Sequence, residues 1–254
     1  MRKDLIAGNW KMNATHLEAI QMVQKLSYRL DTADYDRVDV LVCPPFTSLR
    51  SAQTVIETDH LAIKLGAQNV DWHESGAFTG EIAPGMLSKL SVSYVIVGHS
   101  ERRQMFGETD EIVNTKAKAV IAAGMTPIIC VGETESERDA GEAEARVGSQ
   151  VRAALAGLDP AVAADVVVAY EPIWAIGTGR TASADDAGAM CGFVRDQIRE
   201  AVGEAADSTR ILYGGSMNPG NVAGLMAKSD IDGGLVGGAS LDPDTFASVI
   251  RYWI

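Results

Sequence analysis

The sequence is poor in cysteine. Its 254 residues include three, Cys43, Cys130 and Cys191, which lie far apart and form no C-x-x-C pair. An odd, scattered set is unsuited to a disulfide framework, and its spacing is not that of a structural zinc site. We therefore expect a protein of a reducing compartment, with a cytoplasmic location.

Long apolar runs and clusters of positive charge are also missing. Residues 5–8 are too short for the hydrophobic region of a signal peptide, and no stretch reaches transmembrane length. The 34 Asp and Glu residues outnumber the 22 Lys and Arg residues, which gives a net charge of −12. No basic cluster is longer than Arg102 and Arg103, so we expect neither nucleic acid nor a membrane as a partner.

The chain does contain short apolar runs that alternate regularly with helical patterns. The runs are apolar on both faces, which is typical of strands in a buried parallel sheet. They cover residues 5–9, 38–43, 62–66, 94–97, 126–131, 166–170, 211–213 and 231–236. Helix starts are indicated by the capping-box spacing of Thr134 with Glu137 and by Asp242 followed by Pro243.

This order of elements predicts an α/β protein. Eight strands, each followed by helical sequence without a linker, favour a single (β/α)8 barrel domain over residues 1–254. A doubly wound open sheet is the structural alternative. The acidic segment 133–144 is interpreted as a solvated helix face without a function.

Polar, titratable or glycine residues recur where the predicted strands end. In a (β/α)8 barrel the chemistry is located at the carboxyl ends of the strands, so these positions are expected to converge. They are Asn9 with Lys11, residues 43–45, residues 68–69, His99, Cys130 with Glu133, Glu171, residues 214–216 and residues 237–238. So many such residues at one end are hard to attribute to packing alone.

Two glycine-rich turns at these strand ends favour an anion site. Residues 214–216 (Gly-Gly-Ser) and the pair Gly237 and Gly238, together with Gly177, can direct backbone N–H groups toward a phosphate. This is where (β/α)8 barrels often bind phosphate, after strands seven and eight. Any one of these glycines alone would be read as an ordinary turn.

A carboxylate beneath a lid is the most informative feature of the chain. Glu171 follows an apolar strand and precedes an unusually apolar loop, which includes Ile173, Trp174 and Ile176. A base under a loop that excludes water is typical of a proton-transfer enzyme with a fragile intermediate. The alternative is a loop packed permanently on the core, with Glu171 in a salt bridge.

Two further side chains suit such chemistry. His99 lies at a strand-to-helix transition, where a helix N-terminus disfavours the imidazolium and keeps the ring neutral for donation to an oxyanion. Lys11 follows the first strand and is expected to direct its ammonium toward the barrel mouth, although a lone lysine is more often a solvated surface charge.

Six motifs, in order along essentially the whole chain, resemble the signature motifs of the triosephosphate isomerase family. They are residues 8–13, 76–81, 97–103, 170–182, 213–216 and 235–239. The resemblance implies a TIM barrel that interconverts dihydroxyacetone phosphate and D-glyceraldehyde 3-phosphate through an enediol(ate), in glycolysis and gluconeogenesis. It implies no cofactor and no metal.

The resemblance also implies roles for individual residues. Glu171 is expected to be the base, neutral His99 the electrophile and Lys11 the charge balance, with Asn9 donating to the same oxygen and Glu101 beside the site. The phosphate would be held by Gly177, Ser216, Gly237 and Gly238.

The lid and its surroundings follow from the same resemblance. The lid would span residues 172–182. Glu133 and Tyr213 resemble residues that hold it open and shut by hydrogen bonds to Trp174 and Ala182, respectively, and Cys130 resembles a residue that packs behind the base.

The loop of residues 76–81 resembles the family's interdigitating loop and predicts a homodimer. Its Thr79 would reach the neighbouring subunit's site near Asn9 and His99, and Glu81 would pair with Arg102 across the interface. Phe78 at its tip fits burial in a partner, although a local fold-back would hide it equally well. Residues 70–74 are not diagnostic, and His73 is interpreted as an ordinary polar residue.

Two other functions are alternatives to this one. Residues 177–182 formally match a dinucleotide fingerprint, but residues 171–174 separate the glycines from the strand, whereas a true fingerprint turns directly into a helix. A non-catalytic phosphosugar-binding barrel would need the glycines but not Lys11, His99 and Glu171 together.

Overall fold

The fold is a closed parallel barrel. A computed structural model describes residues 2–176 and 181–254, and its eight strands pair in chain order, with β1 also paired to β8. The strands are β1 (Asp4–Asn9), β2 (Val38–Cys43), β3 (Lys64–Ala67), β4 (Tyr94–Val97), β5 (Thr126–Val131), β6 (Val167–Tyr170), β7 (Arg210–Tyr213) and β8 (Gly233–Val236). The predicted (β/α)8 barrel is confirmed, and a doubly wound sheet is excluded because the first and last strands are joined.

Helices follow the strands around the outside of the barrel. Those in the described residues are α1 (His16–Ser27), α2 (Thr32–Arg37), α3 (Phe46–Thr58), α4 (Pro84–Ser88), α5 (Ser100–Phe106), α6 (Asp110–Ala122), α7 (Glu135–Asp139), α8 (Ala143–Leu155), α9 (Pro160–Ala163), α10 (Ala184–Val202), α11 (Val222–Met226) and α12 (Pro243–Ile250). Short 3-10 helices cover Ile173–Ala175, Gly203–Asp207 and Gly238–Leu241. Over the described part of the chain, no helix combines the length and apolarity needed to cross a membrane.

Helix starts follow the side-chain chemistry expected of them. Thr134 caps α7 in a full capping box with Glu137, and Asp242 caps α12, whose first residue is Pro243. These caps satisfy N–H groups that have no acceptor within the helix. They therefore set where the outer helices begin after β5 and β8.

Two strands begin two residues later than the apolar runs predicted. β3 begins at Lys64 and β8 at Gly233, although Ile63 and Ile231 before them are each 3% exposed. Burial against neighbouring elements gives these side chains the environment of a strand without the ladder hydrogen bonds. An apolar run therefore marks the buried segment, and not the first paired residue.

Both faces of the sheet are buried, as its apolar runs predicted. Alternate residues such as Leu5 and Ala7 belong to a core cluster inside the barrel, whereas Ile6 belongs to the larger cluster between sheet and helices. The interior is thus filled with side chains. The ends of the barrel are the places where polar groups can reach a ligand.

The interpretation of residues 133–144 as one solvated helix face is wrong. Two helices, α7 and α8, occupy the segment, with a turn at Gly141 between them. Glu133 before α7 has no exposed side-chain surface. The acidic composition of the segment suggested that all of its carboxylates are solvated. Charge density along the sequence does not show that one of them, Glu133, has interaction partners elsewhere in the chain.

Candidate active site

A pocket of about 390 Å³ lies at the carboxyl ends of the strands. Side chains and glycines that the sequence placed at separate strand ends line it together. Those among the predicted site residues are Asn9, Lys11, His99, Glu171, Ser216, Gly237 and Gly238. Glu101 contacts Lys11, whereas Gly177 lies outside the described residues, as does much of the possible dinucleotide motif.

Lys11 is held in an unusual backbone conformation directly after β1. Its φ is 52°, in the left-handed region, which costs a residue with a side chain about 1–2 kcal/mol. The Lys11 N–H donates to Asn9 Oδ1 at 3.1 Å, and Gln68 Nε2 donates to the Lys11 carbonyl at 2.9 Å. Lys11 Nζ lies 2.5 Å from Glu101 Oε1. The ammonium is therefore fixed at the pocket, and is not a freely solvated charge.

Gln68 is a positioning residue that the sequence placed among the converging strand ends without giving it a role. Its amide also donates to the Cys43 carbonyl at 2.8 Å, so it ties the loop after β1 to the end of β2. Its place just after β3 was the available signal, although nothing local indicated that it would bind backbone carbonyls.

Glu171 follows β6 and is 2% exposed. One carboxylate oxygen accepts the Ser100 backbone N–H at 2.8 Å, and the other lies 3.0 Å from His99 Nε2. Burial raises the pKa of Glu171, but His99, the Ser100 N–H and Lys11 lower it by more, so the pKa is below its usual value. In this structure the Glu171 carboxylate is thus ionised and lies beside the first turn of α5.

His99 is the N-cap residue of α5. Its Nδ1 accepts the Glu101 backbone N–H at 3.2 Å, which leaves Nε2 as the nitrogen that carries the proton of the neutral ring. Burial lowers the pKa of His99, but the Glu171 carboxylate, with a smaller contribution from Glu101, raises it, and the net pKa is raised. The N-terminus of α5, which was predicted from the sequence, favours the neutral ring of His99. The Glu171 carboxylate beside the ring favours the protonated form.

We expect Glu171→Gln to lower the pKa of His99. The variant removes the negative charge that raises this pKa and leaves the burial that lowers it. NMR titration of the histidine ring protons measures the shift, with exposed His60 as an internal control. An unchanged or higher pKa would contradict the coupling between the two side chains.

The glycine turn after β7 allows close approach of the chain to the base. A Cβ atom at Gly214 would lie 2.9 Å from Glu171 Cγ, and one at Gly215 would lie 2.3 Å from the Tyr213 hydroxyl. The Gly214 N–H donates to the Tyr170 carbonyl at 2.7 Å. These contacts keep the turn against β6, and they leave the pocket side of residues 214–216 free of side chains larger than serine.

The first part of the loop after Glu171 is fastened to residues that follow β5. Trp174 Nε1 donates to Glu133 Oε1 at 2.8 Å, and the Tyr170 hydroxyl donates to the same oxygen at 3.0 Å. Arg138 lies 4.6 Å above the Trp174 ring and 3.6 Å from Glu133. The predicted contact between Glu133 and Trp174 is present, and Arg138 is an addition that the sequence did not suggest.

Cys130 and Tyr213 are two further residues that the resemblance placed around the base and the lid. Cys130 is buried, and burial, followed by the Glu171 carboxylate, raises the pKa of its thiol well above the usual value. At the far end of the lid, burial raises the pKa of Tyr213 to about 12, although the Ala182 backbone beside it lowers the pKa. The buried Tyr213 hydroxyl has no hydrogen-bond partner within the described residues, so the predicted hydrogen bond to Ala182 is not made. Residues 177–180 of the lid lie outside the described residues.

Comparisons with known proteins agree with this geometry. The family model described as triosephosphate isomerase matches residues 4–253. The triosephosphate isomerase of Streptomyces coelicolor is 54% identical over 252 residues, which cover 99% of this chain and 98% of that protein. Those of Corynebacterium efficiens and Mycobacterium avium are 53% and 52% identical, each over 98% of this chain and 95% of the relative. The chain therefore belongs to the triosephosphate isomerase family.

Proposed function

We propose that this pocket interconverts dihydroxyacetone phosphate and D-glyceraldehyde 3-phosphate by proton transfer between adjacent carbons. The observation that carries the proposal is the meeting of Glu171, His99 and Lys11 in one pocket beside two glycine-rich turns. A carboxylate can accept a carbon-bound proton, while an ammonium and a neutral imidazole stabilise the oxygen that becomes negative.

The phosphate is proposed to bind the turns at residues 214–216 and 237–238. The 3-10 helix Gly238–Leu241 begins within the second turn, so backbone N–H groups at its start are available to an anion. Gly177 would add a further backbone group. This anchoring places the carbonyl and hydroxyl oxygens of the three-carbon substrate toward Lys11, Asn9 and His99.

Charge stabilisation on the substrate oxygen supplies much of the expected catalysis. His99 Nε2 would donate to the carbonyl oxygen, and Lys11 Nζ would balance the enediolate, with Glu101 holding the ammonium in place. One preorganised donor of this kind contributes about 3–4 kcal/mol to transition-state stabilisation. His99 Nδ1 already accepts the Glu101 N–H, so Nε2 is the nitrogen that can pass protons between the two substrate oxygens.

Glu171 is proposed to leave the Ser100 N–H when substrate binds. In the arrangement described, Ser100 and His99 lower its pKa, whereas burial raises it. When the carboxylate moves toward the substrate carbon, it loses the contacts with Ser100 and His99 that lower its pKa, but it remains buried. The pKa of Glu171 therefore rises toward that of an effective base. The hydrogen bond to Ser100 thus stores the base in the absence of substrate.

The lid is proposed to protect the enediolate. Ile176 lines the pocket from the loop, and Trp174 fastens the preceding turn to Glu133. An enediolate next to a phosphate can eliminate that phosphate, so exclusion of water and a fixed phosphate both suppress the side reaction. Glu133 and Arg138 would determine how firmly the first hinge is held.

A coupled assay with purified protein tests the reaction. Dihydroxyacetone phosphate should be converted to glyceraldehyde 3-phosphate, with equal rates in buffer containing a metal chelator. Binding of phosphate without turnover would instead support the non-catalytic phosphosugar-binding barrel.

We further propose that the protein acts as a homodimer. Large apolar side chains are exposed on the elements that carry the site: Met12 follows Lys11, and Met105 and Phe106 end the helix that begins after His99. Met12 is 95% exposed and Phe106 is 67% exposed, and a partner that covered them would remove this apolar surface from water. The loop of residues 76–81, with Phe78 and Thr79, would supply that partner surface from a second copy.

Sedimentation velocity at micromolar concentration checks the dimer. We expect a particle of two chains, because burial of these apolar side chains favours association. A stable, fully active monomer would contradict the role of residues 76–81.

We also propose that residues 1–254 form one domain, and that the protein resides in the cytoplasm. The first is supported by strands of one barrel that run from Asp4 to Val236. The second is supported by the free, buried state of Cys43, Cys130 and Cys191.

A further inference from the structure

The loop between β3 and α4 is organised by its own hydrogen bonds. The Asp71 N–H donates to the Ile82 carbonyl at 2.9 Å and closes the base of the loop. The Glu81 N–H donates to the Phe78 carbonyl at 3.0 Å near its tip. Gly76 and Gly80 have φ values of 136° and 94°, which glycine adopts readily. Such a sequence would be flexible if these backbone contacts were its only constraint.

His73 adds a second constraint inside this loop. Its ring is stacked on the Phe78 ring, with centroids 3.8 Å apart and planes 15° from parallel. Its backbone N–H and its Nδ1 each lie 2.7 Å from the same oxygen of Asp71. The imidazole therefore joins the base of the loop to the aromatic residue at its tip.

Asp71 is well suited to be the fixed end of this connection. It is 7% exposed, and its backbone N–H is the group that closes the loop. Burial raises the pKa of Asp71, but the hydrogen bonds from His73 lower it by more, so the carboxylate remains an ionised acceptor. Phe78, by contrast, is 41% exposed despite the stack. One face of its ring is held within the loop while the rest is available to a partner.

We propose that His73 preorganises residues 71–82 as the docking loop for a second copy of this chain. The inference rests on the homodimer proposed above and assigns a role to a residue that is otherwise outside the site. A loop already fixed in its bound shape loses less conformational freedom on association, and this strengthens binding without adding an intermolecular contact. The sequence left two alternatives for Phe78, a local fold-back and burial in a partner, and both apply here. His73 covers one side of the Phe78 ring, and the partner covers the other.

Three substitutions of His73 separate the stack from the hydrogen bond. His73→Ala removes both, His73→Asn keeps a donor near Asp71 without a large ring, and His73→Phe keeps an aromatic ring without the donor. We expect Ala and Asn to weaken dimerisation by about three- to tenfold, the effect of losing one aromatic pair. Phe should lie between these variants and the wild type, because it keeps the stack on Phe78 but loses the hydrogen bond to Asp71. His60→Asn is the matched control, since His60 is an exposed histidine on a different loop.

Dimer dissociation constants are measured by sedimentation over a dilution series. Hydrogen exchange of the Asp71 amide, measured in the dilute monomer, reports preorganisation directly and should be faster in His73→Ala. Far-UV circular dichroism checks that the barrel is retained. Equal dissociation constants for His73→Ala and the wild type, or a His73→Phe variant as weak as His73→Ala, would overturn the inference. A wild-type protein that is monomeric throughout would instead refute the homodimer, which keeps the two failures distinct.

Discussion

Replacing Glu171 with glutamine should lower turnover by about 10³-fold while the barrel remains folded, because a general base contributes roughly 10²–10⁴-fold to a proton transfer. The amide cannot accept the carbon-bound proton. It can still accept the Ser100 N–H through its carbonyl oxygen, which replaces the 2.8 Å hydrogen bond of the carboxylate. His99 can be neutral in the variant, so no unpaired charge is left beside it.

The companion measurements distinguish loss of the base from general damage. Glu171→Asp keeps the carboxylate but withdraws it by one methylene, and it should retain more activity than Glu171→Gln. Affinity for inorganic phosphate, measured by calorimetry, should change little in either variant. Glu144→Gln, at an exposed position on α8, is the control for removal of a negative charge. Wild-type turnover in Glu171→Gln would eliminate this residue as the base.

Replacing Lys11 with methionine should abolish both substrate binding and turnover. The side chain keeps a similar length and flexibility, but it loses the positive charge that balances phosphate and enediolate. The left-handed backbone at this position is unaffected, because methionine meets the same steric cost there as lysine and the hydrogen bonds from Gln68 and to Asn9 remain. Glu101 loses its partner but is 40% exposed, so water can solvate it.

The effect of Lys11→Met is expected in the Michaelis constant as well as in turnover. A charge that interacts with the bound substrate and with the transition state contributes to both quantities. Lys89→Met removes a positive charge from an exposed position near the end of α4, and it should behave as the wild type. Normal substrate affinity in Lys11→Met would contradict the charge-balancing role.

The sequence predicted the architecture well because the requirements of a parallel barrel are repeated along the chain. Every strand is buried on both faces and therefore reads as an apolar run, and closure of the barrel brings all of the strand ends together. This is why Lys11, His99 and Glu171, separated by up to 160 positions in sequence, could be assigned to one pocket. The first residues of the strands were predicted less accurately, since Ile63 and Ile231 are buried but lie before the first residues paired in the sheet.

Contacts that depend on tertiary structure could not be predicted in the same way. Gln68 binds two backbone carbonyls, Ser100 stores the base through a main-chain N–H, and Arg138 covers Trp174 from a helix after β5. None of these contacts leaves a local pattern. Glu133 was listed among the strand ends, but its contact with Trp174 was given only by the family resemblance, because its acidic surroundings suggest a solvated face.

The pKa of His99 illustrates a related limit. The helix start after His99 is readable from the sequence and correctly places Glu101 N–H on the ring. The opposing effect comes from Glu171, whose carboxylate reaches the ring only after β4 and β6 are both built into the barrel. Electrostatic balance at such a site requires distances between distant segments.

A crystal structure with bound 2-phosphoglycolate tests the central claim most directly, since this molecule combines a phosphate with a planar anion at the position of the enediolate. We predict that its phosphate binds the turns at residues 214–216 and 237–238, and that its carboxylate contacts Lys11 Nζ and His99 Nε2. Glu171 should have left the Ser100 N–H and lie against the ligand carbons. A ligand bound elsewhere, or bound here without contact to Lys11 and His99, would contradict the account.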